Sequence, residues 1–359
     1  MNKIIVDGRL YHSEELRSEN LVPFAAASPF HHKLYLFLRE WFSPSPTLTI
    51  YTSGSTGAPK KIVVGKEQMI QSAAITSDFF RLKEGEKALL CLPLEYIAGK
   101  MMIVRAIYAG LDVIPTGPSG NPMSEITQEI DFAAMVPLQV YNSLQTDKEK
   151  KRLSQIQKLI IGGGAIDRAL EKALRDFPNE IYSTYGMTET VSHIALRRVS
   201  GIEADDYYIP LKDVSLRLSK QKTLIIDAPR VTDDTLYTND IAEIRADGSF
   251  RILGRKDNVI NSGGVKIQIE EIERILQAHI STDFAITSVQ HPKLGEAVVL
   301  LIVQGIELIN IREITTKCLP HIQQPKYILF VDAVPHTESG KIDRVVTKTM
   351  AAEMLQSQE

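Results

Sequence analysis

Residues Tyr51 to Lys61 read Tyr-Thr-Ser-Gly-Ser-Thr-Gly-Ala-Pro-Lys-Lys, a set of residue types that suits an anion. Thr52, Ser53, Ser55 and Thr56 supply hydroxyl donors. Gly54 and Gly57 let the backbone turn tightly and bring its N–H groups close to a phosphate. Pro59 stiffens the exit, and Lys60 adds a point charge for a phosphate oxygen. The plain alternative is a surface loop rich in Ser, Thr and Gly. The spacing excludes a Walker A loop, because Gly54 and Gly57 are too close and no Gly-Lys-Ser/Thr closes the motif. A magnesium ion used with such a phosphate must be held elsewhere.

Four further groups carry chemistry. Ser183-Thr184-Tyr185-Gly186-Met187-Thr188-Glu189-Thr190 follows an apolar run. There Tyr185 offers a face to a base, Gly186 a sharp turn with room for a flat ring, and Glu189 a carboxylate for magnesium on a phosphate. A strand-to-helix loop with a threonine N-cap would read the same way. Asp240, in Tyr237-Thr238-Asn239-Asp240, has no cation near it in sequence and suits two ribose hydroxyls; an Asn-Asp turn is the alternative. Gly254-Arg255-Lys256-Asp257 precedes Ser262-Gly263-Gly264-Val265-Lys266. Arg255 is a donor, Asp257 a candidate hinge, and the glycine pair permits close approach of a ligand, against an ordinary linker and turn. Lys341 lies in Ser339-Gly340-Lys341, which alone reads as a solvated lysine.

The elements that position these groups alternate. Short apolar runs at 48–51, 88–92, 112–114, 132–137, 158–161 and 181–184 read as strands, and 33–42, 66–80, 100–108 and 168–177 as helices. This argues an α/β fold with a largely parallel sheet, whose ligands bind beyond the carboxyl ends of the strands. Between about 205 and 254 the pattern changes to short alternating runs, a β-rich subdomain with a hairpin at Asp247-Gly248. From 255 a small α+β domain is predicted, with strands near 258–260, 284–289, 297–303 and 327–331 and helices near 270–278 and 311–318. The expected domains are 1–254 and 255–359, with the hinge near Asp257.

Composition narrows the class. The chain has 359 residues, 44% of them hydrophobic, with 41 Lys and Arg against 44 Asp and Glu and a net charge of -3. Bulk charge does not suggest a nucleic-acid partner. Cys91 and Cys318 lie far apart in apolar sequence and read as reduced core residues. The N-terminus has no apolar signal region, and no apolar run approaches the ~20 residues that span a bilayer. A soluble, cytoplasmic protein is expected.

Taken in order, the five groups resemble the adenylate-forming superfamily of acyl-CoA synthetases, nonribosomal-peptide adenylation domains and luciferases, over about residues 48 to 345. The resemblance implies ATP, Mg2+ and CoA as co-substrates and cofactor, and a small-molecule carboxylate as substrate. It implies that Thr52 to Lys60 close on the β- and γ-phosphates. Tyr185, Gly186, Met187, Thr188 and Glu189, with Gly163 and Gly164, would hold adenine, the α-phosphate and magnesium. Asp240 would hold ribose, and Arg255 matches the arginine ending the large domain. Asp257 would be the hinge and Lys341 the lysine that contacts carboxylate and α-phosphate. Gly264 matches the glycine beside the pantetheine tunnel, with Gly263 and Lys266 next to it.

Within that superfamily, Tyr185–Thr190, the start of the small domain, and Pro93-Leu94 with Gly99, Arg105 and Tyr108-Ala109-Gly110 resemble the o-succinylbenzoate–CoA ligases of menaquinone synthesis. This implies that Arg105 meets a second substrate carboxylate, against a structural salt bridge for the same residue. Lys100 is its rival, and Tyr96, Gly162 and His193 complete the acyl site. The chain departs from that pattern at Glu95-Tyr96, where an aromatic-His pair is usual, and at His193, where Gln is usual. Only ~50 residues precede the phosphate loop, so a shortened N-terminal subdomain is expected, and a homodimer that covers what this exposes.

Overall fold

The computed structural model describes residues 2–18, 22–51, 61–305, 307–337 and 342–357. The phosphate loop 52–60 and Lys341 lie outside the described residues. The remaining candidate residues all fall within them.

The fold is α/β with a nine-stranded sheet at its centre. Six strands run parallel, in the spatial order Glu180–Gly186, Lys158–Ile161, Phe132–Met135, Lys87–Leu90, Asp112–Pro115 and Lys3–Val6. Antiparallel strands close both sides: Arg9–His12 at one end, His193–Arg198 and Ile209–Pro210 at the other. The middle strands are buried along their whole length, as expected where helices cover both faces. A four-stranded antiparallel sheet (Ser215–Leu218, Thr223–Asp227, Leu236–Ile244, Phe250–Arg255) follows. A five-stranded sheet built from residues 259–331, with the helices Ile269–Leu276, Leu308–Cys318 and Arg344–Gln356, ends the chain. Among the described residues no helix is long and apolar enough to cross a membrane.

Several expectations shift. The run at 48–51 is a strand, Thr47–Tyr51, but it pairs only with Lys61–Gly65, outside the main sheet. Leu48 and Ile50 are buried while Val63 across the hairpin is exposed. Strand character at 132–137 stops at Met135, because Pro137 opens a helix, Pro137–Ser143, at a position where its missing N–H costs nothing. The strand expected over 181–184 runs on through Gly186, since His193–Arg198 pairs with it antiparallel. Gly263 and Gly264, both at positive φ, form the two-residue turn between the strands Val259–Ser262 and Val265–Gln268.

The helix Ile97–Ala109 matters most for the site. Every residue from Gly99 to Ile107 is buried, so the helix is enclosed on all sides. It packs against Lys66–Phe80 and ends at Gly110, whose φ of 72° suits a left-handed cap. Its first turn lies hard against the preceding chain: a Cβ on Gly99 would stand 2.3 Å from the Pro93 carbonyl oxygen and 3.0 Å from that of Leu92. Both obstacles are backbone. Gly99→Ala is therefore expected to lower stability by about 1–3 kcal/mol despite the better helix propensity of alanine. An unchanged or raised denaturation midpoint would contradict this packing.

Candidate active site

Two hydrogen-bonded clusters form at the carboxyl end of the parallel sheet, joined by one turn. The first collects groups expected around a nucleotide. The pairing of Leu236–Ile244 with Phe250–Arg255 sets Asp240 directly opposite Arg255. Arg255 Nη1 donates to Asp240 Oδ1 at 3.1 Å, and Arg255 Nη2 to Asp257 Oδ2 at 2.8 Å. Asn239 Nδ2 donates to both Asp257 oxygens, at 3.1 and 3.0 Å. The Tyr185 hydroxyl donates to Asp240 Oδ2 at 2.6 Å. Asp240, alone in sequence, is thus paired in space, and it is buried. Burial works against the Arg255 charge, but its bond to Asp257 and the charges of Asp240 and Asp257 outweigh this and raise its pKa. Burial, reinforced by the Asp240 charge, pushes the Tyr185 phenol up, so it stays a donor.

The small domain grips the same corner. Gln268 Nε2 donates to the Arg255 carbonyl at 2.9 Å, and Asn258 Nδ2 bonds Glu270 Oε1 at 2.5 Å. Asp257 sits in the short 3-10 turn Lys256–Asn258 between the two sheets. Gly264 and Lys266 are exposed, and a Cβ on Gly264 would meet nothing within 4 Å.

The connecting turn begins at Gly186. Sequence reasoning assigned Gly186 to a sharp turn with room for a flat ring; it pairs with His193 across the turn, and a Cβ there would stand 2.4 Å from the Ser192 carbonyl oxygen. Close backbone approach across this turn therefore favours a glycine here. The Thr190 hydroxyl, fully buried, bonds the Met187 backbone and donates to the Ser192 carbonyl at 2.7 Å, so it holds the turn shut. Glu189 points outward from this turn and is exposed. Among the described residues no group of three His, Cys, Asp or Glu could hold a metal by itself. Magnesium bound to phosphate typically takes one or two protein carboxylates plus phosphate and water oxygens, and the exposed Glu189 fits that donor set. Beside the turn, Gly162 follows Ile161, and a Cβ on it would meet Thr184 Oγ1 at 2.5 Å. Gly163, at φ 78°, and Gly164 lie against Val136 and Pro137.

The second cluster surrounds Arg105. Its side chain is among the largest fully buried ones in the chain. Nη2 donates to Ser192 Oγ at 2.6 Å and approaches His193 Nδ1 at 3.5 Å; Nη1 faces the Met102 sulfur at 3.9 Å. Nε has no partner among the described residues. Burial alone pulls the Arg105 pKa down to about 9, and no described carboxylate offsets it. His193 Nε2 lies 3.1 Å from Thr76 Oγ1, which also donates to the Ser72 carbonyl at 3.0 Å. Burial first, then the Arg105 charge, hold the His193 pKa well below its ordinary value.

Lys100 stands apart from this cluster. Its ammonium reaches the Thr49 carbonyl at 3.4 Å and lies over the Phe37 ring, with Glu40 and Glu95 nearby. Tyr96 caps the start of the same helix in extended conformation, two residues before Ala98. Thr76, Ser192 and Asn239 are the site residues that sequence reasoning missed. Thr76 lies in the run Ser72-Ala73-Ala74-Ile75-Thr76-Ser77, where small and hydroxyl residues crowd a buried helix face.

A neutral buried histidine ties stability to pH. The folded pKa of His193 lies below the unfolded value near 6.5, so its stabilising contribution is complete above that pH and is lost as pH falls below it. The loss is at most about 1.4 kcal/mol per pH unit. Between about pH 7 and pH 5, the unfolding free energy should fall more steeply for the wild type than for His193→Gln. Equal slopes would contradict a neutral, buried His193.

The family described as "AMP-binding enzyme" matches residues 8–229, more than half of the chain, and "AMP-binding enzyme C-terminal domain" matches 271–341. A 2-succinylbenzoate–CoA ligase of Bacillus cereus is 25% identical over 357 residues, covering 88% of this chain and 73% of that protein. An acyl-CoA synthetase (AMP-forming)/AMP-acid ligase II-like protein of Dyadobacter fermentans is 33% identical, with a TM-score of 0.63, covering 93% of this chain and 97% of the other. An o-succinylbenzoate CoA synthetase of Bacillus subtilis, solved with the acyl-adenylate OSB-AMP, shares the fold at 20% identity, with a TM-score of 0.71 over 84% of this chain and 68% of the other. The family match covers more than half of the chain and recurs in its C-terminal region, and the chain belongs to the AMP-binding enzymes.

Proposed function

We propose that the chain is an AMP-forming acid–CoA ligase whose substrate is an aromatic acid with a second carboxylate, specifically 2-succinylbenzoate. One observation carries the substrate: a buried guanidinium with neutral partners and no described carboxylate to offset it. An unpaired buried charge is costly, and a substrate anion entering the site would relieve that cost. Lys100 is the weaker candidate, because Glu40 and Glu95 already lie near its ammonium. The names of relatives such as the Bacillus cereus ligase support the same acid.

The reaction then proceeds in two balanced steps. A carboxylate oxygen of the acid attacks the α-phosphorus of ATP; the bond to the bridging oxygen breaks, and pyrophosphate leaves. The CoA sulfur next attacks the acyl carbon, its proton is lost, and AMP leaves. Both steps depend on positioning and on neutralising phosphate charge. Asp240, held by Tyr185 and Arg255, has lone pairs left to accept from ribose hydroxyls. Arg105 orients the acid by its second carboxylate. Magnesium, held by Glu189, would supply charge neutralisation at the phosphates. Thr52 to Lys60 and Lys341 enter through the family resemblance, as the phosphate clamp and the adenylation lysine. Rotation of the small domain near Asp257 would exchange the faces offered to the two steps. The Arg255–Asp257 and Asn239–Asp257 bonds tie that hinge to the Asp240 corner.

A panel of carboxylic acids with ATP, magnesium and CoA, scored for AMP and thioester, tests this. 2-Succinylbenzoate should give the highest kcat/KM. Arg105→Met should lower kcat/KM for that acid by about 100-fold or more, since it strands a substrate charge in a dry pocket. It should change a monocarboxylic acid by less than about threefold. No thioester from 2-succinylbenzoate would overturn the substrate, and no AMP with any acid would overturn the activity.

A further inference from the structure

The role of Arg105 leaves open what aims it. Thr76 is fully buried and its hydroxyl has one proton. The Ser72 carbonyl, 3.0 Å away, can only accept, so the proton goes there, as is common for threonine one turn along a helix. Thr76 Oγ1 must then accept at its second contact, 3.1 Å from His193 Nε2. His193 therefore carries its proton on Nε2. The other side of the ring agrees: Arg105 Nη2, 3.5 Å from Nδ1, can only donate, and Ser192 Oγ, 3.4 Å from Nδ1, accepts from Arg105 and keeps its own proton to give, so Nδ1 is the acceptor. Backbone pairing of His193 with Gly186 fixes where the ring starts, and the imidazole is buried.

We propose that His193, locked as the Nε2–H tautomer between Thr76 and Arg105, is a positioning residue that holds the Arg105 guanidinium in place with its charge unneutralised, and thereby selects acids bearing a second anionic group. The inference rests on the function proposed above. A carboxylate at position 193 would cancel the charge, and an apolar residue would leave the guanidinium with one fewer acceptor. Glutamine reproduces the pattern, since its oxygen accepts and its nitrogen donates. In this role His193 acts through Arg105.

The test has two arms on the full-length enzyme. Nitrogen-15 NMR of histidine-labelled protein reads the tautomer without any substrate. It should find one buried, neutral ring protonated at Nε2, and Thr76→Val should disturb that signal. Steady-state pyrophosphate release then compares 2-succinylbenzoate with benzoylpropionate, the same acid without the ring carboxylate. His193→Leu should raise KM for the diacid by about tenfold or more with kcat little changed, and leave KM for the monoacid within about threefold. His193→Gln should restore the wild-type preference, which separates positioning from pocket damage. A charged ring or an Nδ1–H tautomer overturns the proposal. So do equal KM changes for both acids, no change for either, or a failure of glutamine to rescue. Wild-type enzyme that turns over neither acid sinks the substrate reading and the selectivity together, whereas correct diacid turnover with the wrong tautomer sinks only the role of His193.

Discussion

A guanidinium buried without a described carboxylate is the constraint around which the helix Ile97–Ala109 and its neighbours are arranged. Arg105 lies in a helix whose residues from Gly99 to Ile107 are all enclosed, so its charge has no route to solvent along its own element. Its bonds go to a serine, a histidine and a methionine sulfur, all neutral. Such an arrangement gives up stability that an ion pair or an apolar residue would retain. Proteins keep such costs at sites that bind charge. The helix is fixed closely enough to hold the charge in place, through the Gly99 approach to the Leu92 and Pro93 carbonyls at one end and the Gly110 cap at the other.

The turn from Gly186 to His193 couples the Arg105 cluster to the Asp240 corner. Tyr185, one residue before it, bonds Asp240; Ser192 and His193, at its end, bond Arg105. Glu189 projects from the middle. Three groups to which the proposed reaction gives roles are thereby carried by one short, internally bonded segment. Its shape depends on Gly186, which has no Cβ to strike the Ser192 carbonyl, and on Thr190, which ties Met187 to Ser192. The Arg255 bridge between Asp240 and Asp257 joins the Asp240 corner to the start of the small domain.

Much of this was legible in the chain, for physical reasons. Continuous apolar runs such as Leu159-Ile160-Ile161 mark buried parallel strands, and the periodicity of Lys66–Phe80 locates that helix at its true ends. Motifs at 185–189, 240 and 255 are local, so sequence shows them. What sequence hid is mostly non-local. Arg255 reaches Asp240 only through strand register, and Thr76 meets His193 from more than a hundred residues away. What requires a glycine at 186 was hidden as well, because the Ser192 carbonyl that a Cβ would strike lies six residues on, across the turn. The helix Asp147–Gln155 escaped because it buries only Leu153 and so shows no apolar period; its Thr146 cap and early acids were the available signals.

The most direct measurement is a crystal structure of the enzyme with a stable mimic of the 2-succinylbenzoyl adenylate. The account predicts the ring carboxylate within hydrogen-bonding distance of Arg105, with the Ser192 and His193 contacts to the guanidinium kept and Asp240 accepting from the ribose. A ring carboxylate held elsewhere, with Arg105 turned to a protein carboxylate, would contradict it.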